Sequence, residues 1–397
     1  MSTLLSLVLW VAYVYLSFWA IYFMLFAIAG HLGSKKHTPR SHGISFLVLI
    51  PSYKEDAVII ESAQKAAEHN YPYDYFDVLV IADSLASDTV ETLRRIPVNV
   101  LEVAFEKSTK SKSLNAALDS LTKEYDAVAI LDADNLMQDD FLAKMATRFK
   151  HQQVAVQGHR IAKNRNTHLA YLDAISEEIN NHIFRQGHRV AGLSSALIGS
   201  AMVFEFRLFK SIMAEIDAIG GFDRELELRL IDRGIKIDYV PDAYVLDEKV
   251  QRQEVFQNQR RRWLSAQLHY FGRYYKSGFK ALLEGRIDYA DKVVQGIQVP
   301  RLLLPGLILI LGLASAIANV TPSWMQWAAS FTITIGALLI SIPRKLYSKQ
   351  MLRAMMAIPS TFVNMLLLLF KLKGANKTFI HTAHGEQSTT KEATHSH

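Results

Sequence analysis

The sequence predicts an α/β domain with a parallel sheet, inserted between transmembrane helices. Short apolar runs alternate with helical segments from residue 44 to about residue 160, which is the pattern of a sheet with helical crossovers. Residues 3–30 carry no charged side chain, and a second apolar block extends from residue 302 to residue 342. Apolar stretches of this length cross a bilayer as helices.

The apolar runs of the α/β region are nearly continuous, as expected for strands buried on both faces of a parallel sheet. The carboxyl ends of such strands form the ligand-binding edge. Glu55, Asp83 and Asp132 to Asp134 follow three of the runs, so we expect them at that edge. We predict strands over residues 44–50, 78–82, 98–103 and 127–131, and helices over residues 58–68, 113–121 and 141–149.

The amino-acid composition limits the classes of protein to which this chain can belong. The 397 residues include 44 Lys and Arg, 38 Asp and Glu and no Cys, which gives a net charge of +6. The length allows one large domain plus a membrane part. The basic residues gather beside the apolar segments, a distribution that favours an anionic membrane surface over nucleic acid. The lack of cysteine excludes disulfides and thiolate metal sites and is typical of a domain that faces the cytoplasm.

Residues 1–32 are predicted to form a retained transmembrane helix. The alternative is a cleaved signal peptide, but the Met-Ser-Thr start has no basic residue and the apolar run is longer than the core of a signal peptide. Lys35, Lys36 and Arg40 follow the run, and no charged residue precedes it. The positive-inside rule therefore places the residues after this helix in the cytoplasm.

The C-terminal part of the chain is predicted to divide into segments that lie on or in the membrane. The second apolar block breaks at Asn319 to Pro322, which indicates a hairpin, and a shorter apolar stretch contains Pro359 and Asn364. We assign amphipathic interfacial helices to residues 251–298, a transmembrane hairpin to 299–343, an interfacial or re-entrant helix to 344–373, and a cytoplasmic segment with a polar tail to 374–397.

The Asp132-Ala133-Asp134 motif follows a predicted strand. Two carboxylates with this spacing at a strand end can hold Mg²⁺ or Mn²⁺, which would neutralise the charge of a bound diphosphate. An acidic surface turn has the same composition, so the motif alone does not decide between the two interpretations.

Two motifs further along the chain place reactive groups on helices. Residues 220–228 read Gly-Gly-Phe-Asp-Arg-Glu-Leu-Glu-Leu and put Glu225 in the first turn of a predicted helix, where it can serve as a base or complement the helix dipole. Gln259, Arg262 and Trp263 are spaced i, i+3 and i+4, so they share one face of a second helix. A basic helix on anionic lipid would show a similar pattern.

The order of these motifs, with Asp83 before them and Phe379 to His384 after them, resembles membrane-embedded family 2 glycosyltransferases such as cellulose, chitin and hyaluronan synthases. The resemblance implies a cytoplasmic GT-A domain over residues 40–250, a Rossmann-like fold for nucleoside-diphosphate sugars. It also implies inverting transfer of a sugar, from a UDP-sugar donor, to a growing polysaccharide.

The same resemblance assigns roles to individual residues on the donor side. Asp134 would be the main metal ligand, and Asp132 would contact the donor and share the metal. Glu55 and Asp83 would accept hydrogen bonds from the nucleoside, and Lys112 would contact phosphate. Thr382 and His384 match a gating loop that covers the diphosphate, although His384 stands where the family has lysine.

On the acceptor side, the resemblance implies that Glu225 is the base, with Glu227 as the open alternative because relatives have aspartate in this motif. Arg262 would offset charge on the leaving diphosphate. Gln259 would bind an acceptor hydroxyl and Trp263 would stack on a sugar ring. The loop of Gly199 and Ser200 would lie beside the terminal sugar of the acceptor, because small residues allow close approach.

Two alternatives remain open from the sequence. The chain could transfer a single sugar to a lipid or lipid-linked acceptor, or it could be a membrane scaffold that has lost activity. About three spanning helices are few for a polymer channel, so a synthase of this size would need to oligomerise or to bind an export subunit. We expect an integral protein of the bacterial inner membrane that binds lipid, nucleotide sugar and acceptor but no nucleic acid.

Overall fold

The computed structural model describes residues 2–33, 43–149 and 154–371. A mixed eight-stranded sheet forms the centre of this part of the chain. Its strands are β1 (Phe46–Tyr53), β2 (Phe76–Asp83), β3 (Asn99–Val103), β4 (Ala127–Ile130), β5 (Leu136–Met137), β6 (Ala155–Ala162), β7 (Met202–Glu205) and β8 (Ile237–Asp247). The predicted α/β class is confirmed.

The strand order is β3-β2-β1-β4-β7-β6-β8-β5. The first four neighbours are parallel, with Phe46 opposite Phe76 and also opposite Ala127. Strand β7 is antiparallel to both β4 and β6, and β6 runs parallel to β8. The parallel half matches the predicted strands, whose ends lie within three residues of the observed ends.

Helices cover both faces of the sheet and continue beyond it. They are α1 (Ser2–His31), α2 (Ile59–Ala67), α3 (Ser87–Leu93), α4 (Lys110–Ser120), α5 (Phe141–Ala146), α6 (His168–Asn180), α7 (His188–Val190), α8 (Phe206–Met213), α9 (Phe222–Asp232), α10 (Gln253–Leu283), α11 (Ile287–Val294), α12 (Leu303–Ala318), α13 (Trp324–Ile340), α14 (Lys349–Met355) and α15 (Ile358–Leu369).

The sheet has one hydrophobic core on each face because successive side chains of a strand point in opposite directions. In β1, Phe46 and Val48 pack with α2 and α5 on one face. Leu47 and Leu49 pack with α4, α8 and α9 on the other face. Both sets are almost fully buried, which is why the sequence of β1 is a continuous apolar run.

A third core joins α1 to the helices that follow the sheet. Trp19 and Phe23 of α1 are fully buried against α6, α12 and α13. Residues Asn181–Gly187 form a π-helical turn that lies against α1. A Cβ on Gly187 would stand 2.2 Å from the carbonyl oxygen of Phe26, so the two backbones are in direct contact there. The Tyr22 hydroxyl also donates a 2.7 Å hydrogen bond to Asp291.

The apolar helices differ in length. Helix α1 has 30 residues, about 45 Å at 1.5 Å per residue, and is long and apolar enough to cross a membrane. Helices α12 and α13 have 16 and 17 residues, which is shorter than the roughly 20 residues of an upright span. Helices α14 and α15 meet at a bend of 43°. The spanning hairpin and the re-entrant helix therefore stay predictions.

Candidate active site

A cleft of about 490 Å³ opens at the carboxyl ends of β1, β2 and β4. Loops after these strands supply its floor, and α9 and α10 supply the opposite wall. Residues that the sequence predicts to be functional, some in the loops after the strands and others on α10, meet in this cleft. Those that line it are Glu55, Asp83, Asp132, Asp134, Gly199, Gln259, Arg262 and Trp263.

Three carboxylates meet in the floor of the cleft. Asp132 and Asp134 come from the predicted motif after β4, and Asp247 ends β8. One oxygen atom from each lies within 4.8 Å of the other two. Oxygen ligands of this kind suit Mg²⁺ and Mn²⁺. The donor set therefore fits a divalent cation, and Asp247 is a member that the sequence analysis missed.

Basic groups balance these carboxylates. Arg160 Nη1 lies 3.2 Å from Asp247, and Lys249 Nζ lies 2.8 Å from the same side chain. Burial alone would raise the pKa of Asp247, but the charges of Arg160 and Lys249 lower it. Asp247 is thus held as an anion, the form that a metal ligand needs.

The end of the cleft next to β2 contains a carboxylate oxygen with no hydrogen-bond donor among the described residues. Asp83 ends β2 and is fully buried. Its Oδ1 atom accepts a 3.1 Å hydrogen bond from the Ser84 hydroxyl, whereas Oδ2 has no partner among the described residues. A buried carboxylate oxygen without a donor is costly unless a ligand supplies one. Glu55, in the loop after β1, lines the same end.

The lysine of α4 that faces the cleft is Lys110, not the predicted Lys112. Its Nζ forms an ion pair with Asp132 and donates a 2.7 Å hydrogen bond to the carbonyl oxygen of Gly199. Lys112 Nζ instead donates to the backbone oxygen of Lys107 at 3.2 Å on the exposed side. Helix α4 begins three residues before the predicted start, and Lys112 lies about 200° around the helix from Lys110.

The carboxylate that α9 presents to the cleft is Asp223, not the predicted Glu225. Asp223 is among the lining residues, and Glu225 is not. Glu225 is 2 % exposed, and its carboxylate is bound by Arg229 at 2.9 Å and by Arg273 at 3.3 Å. Asp223 and Glu225 are two positions apart in the helix, so their side chains lie about 200° apart around the helix axis and only one of them can face the cleft.

Glu227, the open alternative, is also directed away from the cleft. It is 1 % exposed, forms an ion pair with Arg224 and accepts a 3.2 Å hydrogen bond from the backbone N–H of Leu197. Burial would raise its pKa, but Lys292 and Arg224 lower it. In contrast, burial and the nearby charge of Glu227 raise the pKa of Asp223. Asp223 is therefore the better proton acceptor of the two.

The loop before β7 lies between the carboxylates of Asp132, Asp134 and Asp247 and that of Asp223. Gly199 adopts φ of +83°, a conformation that favours glycine, and a Cβ there would lie 3.6 Å from Asp223 Oδ2. Ser200 is fully buried behind the loop, where its Oγ contacts Arg160 Nη1 at 3.4 Å. Gly199 is thus at the cleft surface and Ser200 supports it from below.

Helix α10 brings the three residues of the Gln-x-x-Arg-Trp motif to the cleft, as their spacing predicts. Gln259 Oε1 is buried and has no hydrogen-bond partner in the described part of the chain. Burial lowers the pKa of Arg262, while the charges of Asp132 and Asp223 act in the opposite direction, so both carboxylates are electrostatic neighbours of this guanidinium. Trp263 is 36 % exposed and forms part of the wall.

Thr382 and His384, predicted to cover the diphosphate, lie outside the described residues. Their assignment stays a prediction.

Comparison with known proteins identifies the family. The model of "Glycosyltransferase like family 2" matches residues 42–266, which is more than half of the chain and includes every element of the cleft up to Ala266. The chain belongs to glycosyltransferase family 2. The predicted family is confirmed, and membership of this family supports the predicted transferase activity.

Individual relatives agree with this assignment. Poly-beta-1,6-N-acetyl-D-glucosamine synthase of Staphylococcus aureus is 25% identical over 213 residues, which cover 51% of this chain and 48% of the relative. The probable glycosyltransferase YdaM of Bacillus subtilis is 24% identical over 231 residues, 54% of this chain and 53% of the relative. The match therefore spans about half the length of these relatives.

Among solved structures, the mannosyltransferase PcManGT of Pyrobaculum calidifontis, in complex with GDP-Man and Mn²⁺, superposes with a TM-score of 0.53. It is 17% identical, and the match covers 88% of this chain and 100% of that protein. The family 2 transferase described here thus has the GT-A fold.

Proposed function

We propose that this family 2 enzyme transfers a sugar, with inversion at the anomeric carbon, from a UDP-sugar to a hydroxyl acceptor at the cytoplasmic face of a bacterial membrane. The observation that carries the proposal is the shared cleft of Asp134, Asp223 and Trp263. It combines a site for a divalent cation, a base and an aromatic platform. These are the groups that transfer from a diphosphate donor requires.

The donor would bind along the floor of the cleft. Asp83 Oδ2 and Glu55 would accept hydrogen bonds from the nucleoside, and Lys110 would face the phosphates. Asp132, Asp134 and Asp247 would hold Mg²⁺ or Mn²⁺, which supplies charge neutralisation for the diphosphate when it is bound. Arg262 would stabilise the negative charge that develops on the leaving diphosphate.

The acceptor would enter between α9 and α10. Its hydroxyl oxygen forms the new bond to the anomeric carbon, the bond from that carbon to the diphosphate oxygen breaks, and the nucleoside diphosphate leaves with the electron pair. Asp223 takes the hydroxyl proton. Gln259 Oε1 would accept a hydrogen bond from the acceptor, and Trp263 would pack on a sugar ring. Gly199 has no side chain and would therefore leave space for the acceptor beside Asp223.

Membrane attachment is supported by an exposed apolar surface. Leu4, Val11 and Leu25 of α1 are each more than 60 % exposed, and Ile317 of α12 is 86 % exposed. Soluble proteins rarely leave so many apolar side chains on adjacent helices in water. We infer that lipid covers these side chains.

Two acceptors are candidates. The name of the Staphylococcus relative supports a growing polysaccharide, the acceptor that the sequence analysis favoured. An apolar cavity beside Trp263 supports a lipid acceptor.

The test is release of nucleoside diphosphate from a panel of sugar nucleotides by the purified protein with Mn²⁺ or Mg²⁺. We expect turnover with at least one uridine-diphosphate sugar. Asp134→Ala and Trp263→Ala should each lower it by at least about a hundredfold while the protein stays folded and membrane-bound. Turnover close to wild type in either variant, or none from any donor in the wild type, would refute the proposal.

A further inference from the structure

A second cavity, of about 720 Å³, lies between α6, α10 and the helices α12 to α15. Its volume falls within the range of about 300–1,000 Å³ that is usual for small-molecule sites. The walls consist mainly of aliphatic and aromatic side chains, including Leu309, Phe331, Ile335 and Phe362. Such a cavity suits an apolar ligand, and it is formed by the same helices that carry the exposed apolar surface.

The cavity adjoins the catalytic cleft. Trp263 stands between the two spaces and lines both of them. A ligand whose tail occupies the cavity would therefore bring its other end to the tryptophan that the proposed mechanism uses for the acceptor. The other residues common to both linings are polar: Asp173, Asn180, Gln267 and Gln298.

A cation with no ion-pair partner among the described residues lies at the edge of the cavity. Arg301 precedes α12, and its Nη2 donates to the Oγ of Ser176 at 3.0 Å and to the backbone oxygen of the same residue at 3.3 Å. Its Nη1 is buried and has no hydrogen-bond partner in the described ranges. Within those ranges no carboxylate oxygen lies within 4.0 Å of Arg301. A phosphate would supply both the charge and the acceptor atoms that this guanidinium lacks.

A second guanidinium stands beside it. Arg260 lies over the ring of Trp263 at 4.4 Å and over that of Phe256 at 4.7 Å, and it forms an ion pair with Asp173. Its Nε is also buried without a partner among the described residues. Burial and the charge of Arg260 act against the cationic form of Arg301, and the carboxylates of Glu177 and Asp173 act in its favour without contacting it directly. A bound anion would reduce the repulsion between the two arginines.

These features favour a lipid over a polysaccharide in this space. A sugar polymer carries hydroxyl groups on every ring, and burying them against aliphatic side chains would leave them without hydrogen bonds. An acyl or isoprenoid chain has no such groups. The two arginines at the polar end match the anionic headgroup of a lipid, and the apolar walls match its tail.

We propose that this cavity binds the tail of the acceptor, a membrane lipid whose headgroup carries a phosphate, bound by Arg301 and Arg260, and a hydroxyl that receives the sugar. The inference rests on the proposed function and names its acceptor class. The headgroup hydroxyl lies at Trp263, its oxygen bonds to the anomeric carbon, and its proton passes to Asp223 as the nucleoside diphosphate departs.

Photo-crosslinking of the full chain tests the binding site. The probe is phosphatidylglycerol with a photoreactive group in the acyl chain, presented in phosphatidylcholine vesicles. We expect crosslinked peptides from α12, α13 and α15. Leu309→Trp should abolish them because the larger ring enters the cavity. Ile310→Trp is the matched control, since both side chains lie on α12 with 49 % exposure but Ile310 is not part of the lining.

The arginine is tested with the same probe. Arg301→Gln should lower the crosslinking yield about tenfold, the effect of losing hydrogen bonds to a charged group, and Arg301→Lys should restore part of it. A photoreactive diacylglycerol, which carries a hydroxyl but no phosphate, should crosslink weakly in every variant. Equal yields from the two lipids, or yields unaffected by Leu309→Trp, would overturn the proposal.

Product analysis separates this inference from the proposed function. With labelled sugar nucleotides, Mn²⁺ and vesicles that contain phosphatidylglycerol or phosphatidylinositol, the label should partition into the organic phase as a lipid with one sugar. Leu309→Trp should remove this product yet leave hydrolysis of the donor by water unchanged. Donor turnover with only a water-soluble polymer as product would overturn the lipid acceptor and leave the transferase intact. No donor turnover in the wild type would instead refute the proposed function.

Discussion

The ammonium group of Lys110 donates a 2.7 Å hydrogen bond to the carbonyl oxygen of Gly199 and forms an ion pair with Asp132. One side chain thereby connects the Asp132-Ala133-Asp134 motif after β4 to the loop that lies against Asp223. In the proposed mechanism, this contact links the donor end of the cleft to its acceptor end. Close positioning of two reactants is a large part of what an enzyme supplies.

Lys110 and Lys112 form a natural pair for mutation. We expect Lys110→Met to lower kcat/KM for the sugar nucleotide by about tenfold to a hundredfold, because charge-assisted hydrogen bonds are worth roughly 1.5–3 kcal/mol. Lys112→Met removes the same charge from the solvent side of α4 and should stay within about twofold of wild type. Steady-state kinetics with saturating Mn²⁺ measure both. A larger effect at Lys112 would restore the original assignment.

Asp223 and Glu225 are distinguished in the same way. Asp223→Asn should lower kcat by about 10²–10⁴, the usual contribution of a general base. Glu225→Gln should keep the turnover of the folded enzyme but lower its free energy of unfolding, since Arg229 and Arg273 lose an ionic partner in a buried site. Turnover and thermal unfolding are measured on the same preparations. Loss of turnover in a stable Glu225→Gln protein would contradict the role given to Asp223.

The pH dependence follows from the raised pKa of Asp223. A base acts only when it is deprotonated, so activity should fall as the pH decreases through this raised pKa. The acid limb of the kcat profile should therefore lie above the value of about 3.9 for an ordinary aspartate. The profile is recorded with Mn²⁺ saturating at every pH, as checked by titration. A limb at the ordinary aspartate value would exclude Asp223 as the base.

Asp247 should contribute to metal affinity. We expect Asp247→Asn to weaken Mn²⁺ binding by at least about tenfold in the presence of UDP, measured by calorimetry or by the electron paramagnetic resonance of free Mn²⁺, because a neutral amide replaces one of three anionic ligands. Asp242→Asn, on the same strand but outside the cleft, is the control. Equal affinities in the two variants would remove Asp247 from the metal site.

Alanine substitutions at Gly199 and at Gly192 test the acceptor side of the cleft, because both cause the same backbone strain. They have φ of +83° and +84°, so an alanine at either position should lower the free energy of unfolding by about 1–2 kcal/mol. Only at position 199 would the new methyl group approach Asp223. At position 192 the methyl carbon would have no described atom within 4 Å, apart from those of its chain neighbours. Gly199→Ala should therefore raise the KM for the acceptor, and Gly192→Ala should not. Equal KM values would show that the acceptor does not approach this loop.

The sequence was sufficient for the features that depend on local patterns. The apolar runs before Asp83 and Asp132 predicted the strands, and parallel strands bring their ends to one edge. The spacing of Gln259, Arg262 and Trp263 predicted a common helix face. The sequence pattern did not show that this helix face lies next to the strand ends, because that contact depends on the tertiary fold.

The remainder of the site depends on details that the sequence pattern does not specify. The first residue of α4 determines which lysine faces the cleft, and Thr109 caps that helix earlier than the apolar pattern indicated. Helix α9 begins directly after Gly221, which has a φ of +68°, and Asp223 is in its first turn. Asp247 is 113 residues beyond Asp134 in the chain, so only the pairing of β8 with β6 brings it near. The one feature of the sequence that could have indicated Asp247 as a site residue is its position at the end of an apolar run.

The close packing of α1 on the π-helical turn has a practical consequence. Because Gly187 meets Phe26 backbone to backbone and Tyr22 reaches Asp291, the first helix is an integral part of the folded body and more than a tether. A shortened chain without it would expose Phe184, whose next neighbour Arg185 lines the cleft. Efforts to obtain a water-soluble enzyme should therefore retain this helix and solubilise its outer face.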